Sequence, residues 1–422
     1  MTAGQGARGS AAACPPRVLL ASEMGAGRGH VTSLAAVARA LGPGLPLLAA
    51  LPSLRHVDTL AALGARVLQA PALRYAPEAR ANPALAGNAS WGDYLAACGL
   101  AREAAVRRGL AFWRKLIVDE DISLLVADYA PLALRAAQGL QAEGWQIVTV
   151  ATGTGYGLPP AELDRFPQLL ADHDRVIHPE PEVLALLNRI GTEQGLAPLP
   201  RLPALYAADH VVPRSFAFLD PYAALRPPGS LLPPETGGRV PEAVGGAAVF
   251  AYFSTQELAD PEVADALAAL PLPRFGYLPG AAPEVLARLA ASGMEISPTP
   301  LHPAEIAARA RLVLSAGQHG TLSMAALAGL PQVALPQHLE QLFHARRAET
   351  AGIARLLWRP ERRAGAIVEL VLAACTDPAL ADAARALGAV LRAEVGPDPE
   401  AKLARRLAPA LPAARAASLS GG

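Results

Sequence analysis

The sequence predicts an α/β protein with two doubly wound parallel sheets, one in each half of the chain. Three observations carry this. Short, continuously apolar runs recur with helical patterns between them, as expected for parallel strands covered on both faces. A proline-rich stretch from 213 to 246, with neither helical nor strand period, separates two such series. The 422 residues, 52% of them hydrophobic, are enough for two cores.

In the first half the strand-like runs are VLLAS (18–22), LPLLAAL (45–51), RVLQA (66–70), SLLVAD (123–128) and QIVTVAT (146–152). The second half begins with AAVFAYFS (247–254) and continues through FGYLP, MEISP, LVLS (312–315), QVALP (332–336) and ARLLW. The expected organisation is therefore a Rossmann-like domain over 14–213, a Pro-rich linker over 214–246, and a second Rossmann-like domain over 247–395. A helix over 396–410 follows, and the small, polar stretches 1–13 and 411–422 read as loose tails. Two domains of this kind face each other across a cleft, where a ligand sits.

Composition removes several function classes. Lys plus Arg number 37 against 37 Asp plus Glu, so no electrostatic case exists for nucleic acid or an anionic membrane as main partner. Cys14, Cys98 and Cys375 lie far apart with no ligand spacing, so neither a disulfide framework nor a metal site is expected. His173, His178 and His344 lack metal spacing too and read as structural or solvated. The apolar stretch Leu41 to Leu54 is broken by Gly42, Pro43, Gly44, Pro46 and Pro52, so no transmembrane segment is expected. With no apolar secretory core near the start, the expected location is the cytoplasm, as monomer or homodimer.

The most informative stretch is 312–352. LVLS reads as a buried strand, and Gly317, Gly320 and Thr321 follow as a tight loop that brings free backbone N–H groups to an anion at a helix N-terminus. That helix runs through Met324 to Ala328 and is stopped by Gly329 and Pro331. After the strand QVALP, Glu340 and Gln341 open another helix that ends at Gly352. Polar groups thus collect at the C-terminal ends of neighbouring strands, where open α/β sheets bind ligands.

Near the N-terminus, VLLAS leads into EMGAGRGH, Glu23 to His30. Gly25, Gly27 and Gly29 suggest a dinucleotide fingerprint, but His30 stands where its third glycine belongs. No acid ends the second strand, so no nicotinamide cofactor is expected. What remains is a histidine at the mouth of a strand-loop-helix turn, suited to general-base work, with Asp128 as the best placed acid to orient it.

Residues 312–352 resemble the donor-binding signature of the GT-B glycosyltransferases, in particular the family 1 enzymes of the UDP-glycosyltransferase and macrolide glycosyltransferase type. The matching residues are Gly317 or Gln318, Thr321, Ala325 to Leu327, Gly329, Pro331, Pro336, and Glu340 with Gln341 in the Asp-Gln place. The resemblance implies the GT-B fold, with transfer of a sugar from a UDP or dTDP sugar to a hydroxyl of a small-molecule or lipid acceptor. It implies inversion, no metal, and no cofactor beyond the nucleotide sugar as co-substrate. Donor contacts would come from Ser254, Thr255, Gly317, Gln318, His319, Gly320, Thr321, Glu340 and Gln341. Gly27, Gly29, Gly153 and Thr154 would lie on the acceptor side, and His30 with Asp128 would form the catalytic pair.

Four residues, at three places, depart from the family pattern. Ala316 stands at the phosphate-contacting histidine, a contact that is lost unless His319 takes it over; Thr32 and Ser33 stand at the Asn-Pro place; Ser254 replaces a glycine. A nucleotide-sugar 2-epimerase of the same fold, or a nucleotide-sugar binding protein without turnover, are the competing readings.

Overall fold

The computed structural model describes residues 15–25, 28–74, 90–254 and 257–411. Gly27 and Thr255, expected in the site, lie outside the described residues. Twelve described strands form two six-stranded sheets, all parallel. The first holds β1 (Val18–Ala21), β2 (Leu47–Leu51), β3 (Arg66–Gln69), β4 (Leu124–Asp128), β5 (Val148–Gly153) and β6 (His210–Pro213), in the order β3-β2-β1-β4-β5-β6. The second holds β7 (Ala248–Tyr252), β8 (Arg274–Tyr277), β9 (Glu295–Ser297), β10 (Ala310–Ser315), β11 (Gln332–Ala334) and β12 (Ala354–Leu356), in the order β12-β11-β10-β7-β8-β9.

The two sheets have the same winding, and it decides where ligands go. In the first sheet the strand order reverses between β1 and β4, and in the second between β7 and β10. At such a reversal the helices after the two strands leave toward opposite faces and a crevice opens at the strands' C-terminal ends. His30 follows β1 and Asp128 ends β4; Ser254 follows β7 and Ser315 ends β10. Both sequence motifs therefore sit at the two crevices.

The apolar runs behave as their composition demands. Val18 to Ala21, Leu124 to Asp128 and Val148 to Gly153 are buried along their whole length, because helices cover both faces of the sheet. The edge strands are more open: β3 and β9 are partly exposed along their length, and β6, a half-exposed strand of four residues that ends in a proline, is one the sequence reading did not single out.

The halves pack against each other. Leu339, Leu342 and Phe343, from the helix Leu339–Thr350 of the second half, join the core of the first beside Tyr156 and Trp91. Arg346 on that helix pairs with Asp172, its Nη2 lying 2.7 Å from Oδ2. The helix Pro399–Leu407 returns to the first half, where Leu403 and Leu407 pack with Leu34 and Leu41.

The stretch between the sheets is built rather than slack. Phe216 and Tyr222 are buried, and the buried ion pair Arg226–Asp220 (2.6 Å) hands a second guanidinium nitrogen to the carbonyl of Leu158 (2.6 Å). This fastens the linker to the loop after β5. Among the described residues no single helix is long and apolar enough to cross a membrane. The helices Ala364–Thr376 and Pro378–Val395, bent by 67°, pass only as a pair, and their Ile367, Val371 and Leu380 pack into the second core.

Candidate functional site

The first wall is built on β1 and β4. Gly25 turns the chain out of β1 at φ +87°, and a Cβ there would stand 2.2 Å from Cδ2 of His30, so only glycine lets the imidazole lie where it does. His30 occupies the first turn of the helix Arg28–Leu41 and is partly open to solvent. Its Nδ1 stands 3.3 Å from Oδ1 of Asp128, long for a hydrogen bond. Asp128 is buried, and no other described donor reaches its carboxylate. The fold thus brings together the two residues that the sequence reading pairs.

Electrostatics agrees with the pairing. Burial works to lower the His30 pKa, but the Asp128 carboxylate, as a charge and as an acceptor, outweighs it with help from Glu340. The result is an imidazole held above its ordinary value. Gly153 at the end of β5 (φ +140°) leaves room for the pair, since a Cβ there would come 2.9 Å from Oδ1 of Asp128. Gly29 is exposed with open space around it.

Two residues outside the sequence reading complete this wall. Tyr129, directly after Asp128, sets its ring edge-on to His30 with centroids 4.6 Å apart. Its hydroxyl meets Thr154 Oγ1 at 2.8 Å and donates to Glu340 Oε1 at 2.9 Å, so the two halves touch across the site. Glu23, at the end of β1, is buried, and its carboxyl oxygens accept the N–H groups of Leu132 and Ala133 at 3.1 and 2.9 Å. It thereby caps the helix Pro131–Ala142 and pins the Asp128–Ala130 turn. Burial pushes the Glu23 carboxyl up to about 8 despite those donors. A signal for Glu23 was present: a carboxyl ending a buried strand is costly unless bonded. Tyr129 carried no comparable mark.

The second wall is built on β7, β10 and the helix His319–Ala328. Gly317 takes φ +83°, and a Cβ there would press to 3.0 Å from the carbonyl of Gln341. Gln318 is the N-cap but does not cap with its side chain, which instead reaches Ser254 Oγ (3.4 Å) and Glu257 Oε1 (3.2 Å). The first-turn N–H groups of His319, Gly320 and Thr321 have no acceptor within the helix, which makes this end the positive pole of the wall. Gly320 has only the Glu235 carbonyl near it, at 3.5 Å from a would-be Cβ.

The donor-side expectations divide here. His319 does not stand free as a phosphate ligand: its Nε2 lies 2.9 Å from Ser215 Oγ, and burial pulls its pKa down to about 4, so it is neutral. Thr321 is buried. Glu340 reaches the first wall, and burial raises its pKa. Gln341 turns its Oε1 back to Gln337 N at 2.8 Å. Among the described residues, neither ring nitrogen of His344, fully buried 5.1 Å from the His319 ring, finds a hydrogen-bond partner. No group of three His, Cys, Asp or Glu residues among the described ones is arranged to hold a metal ion.

Space in the first half is uneven. A gap of about 10 Å³, room for one water, lies beside His30 between Ser22, Gly25, Leu51, Ser53 and Arg55. A cavity of about 920 Å³, lined among others by Phe166, Val176, Leu184, Leu202 and Arg165, includes neither His30 nor any residue of the second half.

Among solved structures the chain is similar to the spinosyn rhamnosyltransferase SpnG, at TM-score 0.65 and 20% identity over 93% of this chain and 100% of that one. It is similar also to CalG4, the calicheamicin glycosyltransferase, at TM-score 0.65 and 19% identity over 93% and 98% of the two chains. A UDP-glucosyltransferase from Polygonum tinctorium matches at TM-score 0.59 and 16% identity, over 95% and 99%. The fold is GT-B. No family model and no curated protein matches the sequence. A GT-B chain has its two sheets facing one another; here the Tyr129–Glu340 contact joins the turn after β4 to the helix after β11.

Proposed function

We propose that this GT-B chain is a glycosyltransferase that moves a sugar from a UDP or dTDP sugar to a hydroxyl of a small-molecule or lipid acceptor, with inversion. The observation that carries the reading is the His30–Asp128 contact at the first sheet's reversal, with Glu340 of the second half in reach across the cleft. Similar structures support the donor class: SpnG is known complexed with thymidine diphosphate, and another, LpCGTa, in complex with UDP.

In the proposed reaction His30 takes the acceptor's O–H proton as the oxygen forms a bond to the anomeric carbon from the face opposite the nucleotide. The bond from that carbon to the diphosphate oxygen breaks, and the electron pair leaves with the diphosphate. Asp128 stabilises the imidazolium, and the helix opening at His319 offsets charge on the leaving group through its backbone dipoles. One base and one in-line displacement invert the centre. Backbone dipoles fill the part a metal would otherwise take, so activity is expected to survive EDTA.

The test is a panel of UDP and dTDP sugars, with and without an acceptor panel, read by nucleotide release, product mass and proton NMR of the sugar. Sugar transfer that needs acceptor supports the reading. Conversion of the sugar nucleotide without acceptor would replace it with epimerase action, and binding without conversion would leave a binding protein.

A further inference from the structure

The geometry points to Tyr129 as the positioning residue that presents Glu340 to the sugar of the nucleoside diphosphate donor and ties that carboxylate to the base on the opposite wall. This rests on the transferase reading above. Tyr129 holds a positive φ of 53°, a region bulky side chains avoid, and such residues gather at functional sites. The surroundings are shaped to keep it there. A Cβ on Gly157 would sit 2.1 Å from Cζ of the Tyr129 ring, and the ring stands edge-on to both His30 (4.6 Å) and Trp91 (5.4 Å).

The hydroxyl has one proton to give. Its contact with Glu340 Oε1 at 2.9 Å can only use that proton, because an ionised carboxylate accepts and cannot donate. Thr154 must then donate to the phenol oxygen, at 2.8 Å, which makes a directed chain from Thr154 through Tyr129 to Glu340. A charge-assisted bond of this kind fixes the carboxylate's rotation. Among the described residues Oε2 of Glu340 accepts no hydrogen bond, so it is the oxygen left for hydroxyls of a sugar. The ionisable groups facing Glu340 are His30, Asp128, Tyr129 and Tyr94. Of these, Tyr129 donates a hydrogen bond to it. Thus the residue that packs on the base also aims the carboxylate of the donor wall.

The experiment compares Tyr129→Phe with the unaltered full chain, using UDP-glucose, dTDP-glucose, UDP and dTDP as probes in titration calorimetry. Phe keeps the ring against His30 and removes only the hydroxyl. For whichever sugar nucleotide the unaltered chain binds, affinity is expected to drop about tenfold while the free nucleotide binds as before. Donor KM should rise with little change in kcat. Glu340→Gln should show the same selective loss, and the double variant should lose no more than either single one, since both remove one interaction. If Tyr129→Phe does not fold, Glu340→Gln against Thr154→Val carries the same comparison. Equal loss for nucleotide and nucleotide sugar, or no loss, would overturn the proposal while leaving the transferase reading intact. Failure of the unaltered chain to bind any of the four probes would remove that reading and this proposal with it.

Discussion

The imidazole of His30 lies so close over Gly25 that a side-chain carbon on the glycine would fall 2.2 Å from the ring. The imidazole and the first glycine of the loop therefore specify each other: the turn out of β1 is tight because the ring needs the space above it.

Gly25→Ala is expected to strain a backbone at φ +87° and to push the imidazole off Asp128. Stability should fall by at least about 1 kcal/mol, with a much larger loss of transfer than of nucleotide binding. Thermal melts and steady-state rates on one preparation check this; a fully active Gly25→Ala protein would contradict the placement of His30.

Asp128→Asn removes the charge that holds the His30 pKa above its ordinary value. A base must be deprotonated to act, so the acidic limb of the rate profile should move to lower pH while the plateau falls by about two orders of magnitude. The stability carried by the pair has the opposite sign. It is fully present below the ordinary histidine pKa of 6.5 and is lost as pH rises through the raised folded value. Melts of both proteins across that range should therefore converge at high pH.

Glu23 gives a second pH signature. Its folded pKa of about 8 exceeds the ordinary 4.5, so its stabilising protonated form is present below the latter and is progressively lost as pH rises to the former. The unaltered chain should lose stability relative to Glu23→Gln between these values. An unchanged difference would mean the carboxyl is ionised in the folded state, held by the Leu132 and Ala133 N–H groups.

The second wall predicts acid sensitivity. Burial lowers the His319 pKa to about 4 and that of His344 well below 6.5, so each stays neutral in the folded chain while the unfolded chain takes up protons. Stability is then present above pH 6.5 and falls as pH drops toward 4. His344→Leu, which removes two buried nitrogens without partners, should flatten that fall at little cost at pH 7, as read by melts across the range.

How far the sequence reaches is clear from particular residues. Strands buried on both faces were legible because a parallel sheet demands continuous apolar runs, and Gly329, observed at φ +73°, marked a helix end for the same steric reason. His210–Pro213 was not legible, since an edge strand needs no apolar run and this one is half exposed. His30 and Asp128 could be paired because a buried acid needs a partner and the winding brings β1 beside β4. The link from Tyr129 to Glu340 joins positions 211 apart, and no local pattern encodes a contact between domains. The return of His319 to Ser215 in the linker was hidden for the same reason.

The account stands most directly on His30→Ala, measured for sugar transfer and for sugar-nucleotide binding on the same preparation. Transfer should fall by about two to four orders of magnitude, with donor affinity within a factor of about two of the unaltered chain. Unchanged turnover would show that the histidine over Gly25 does not take the acceptor's proton.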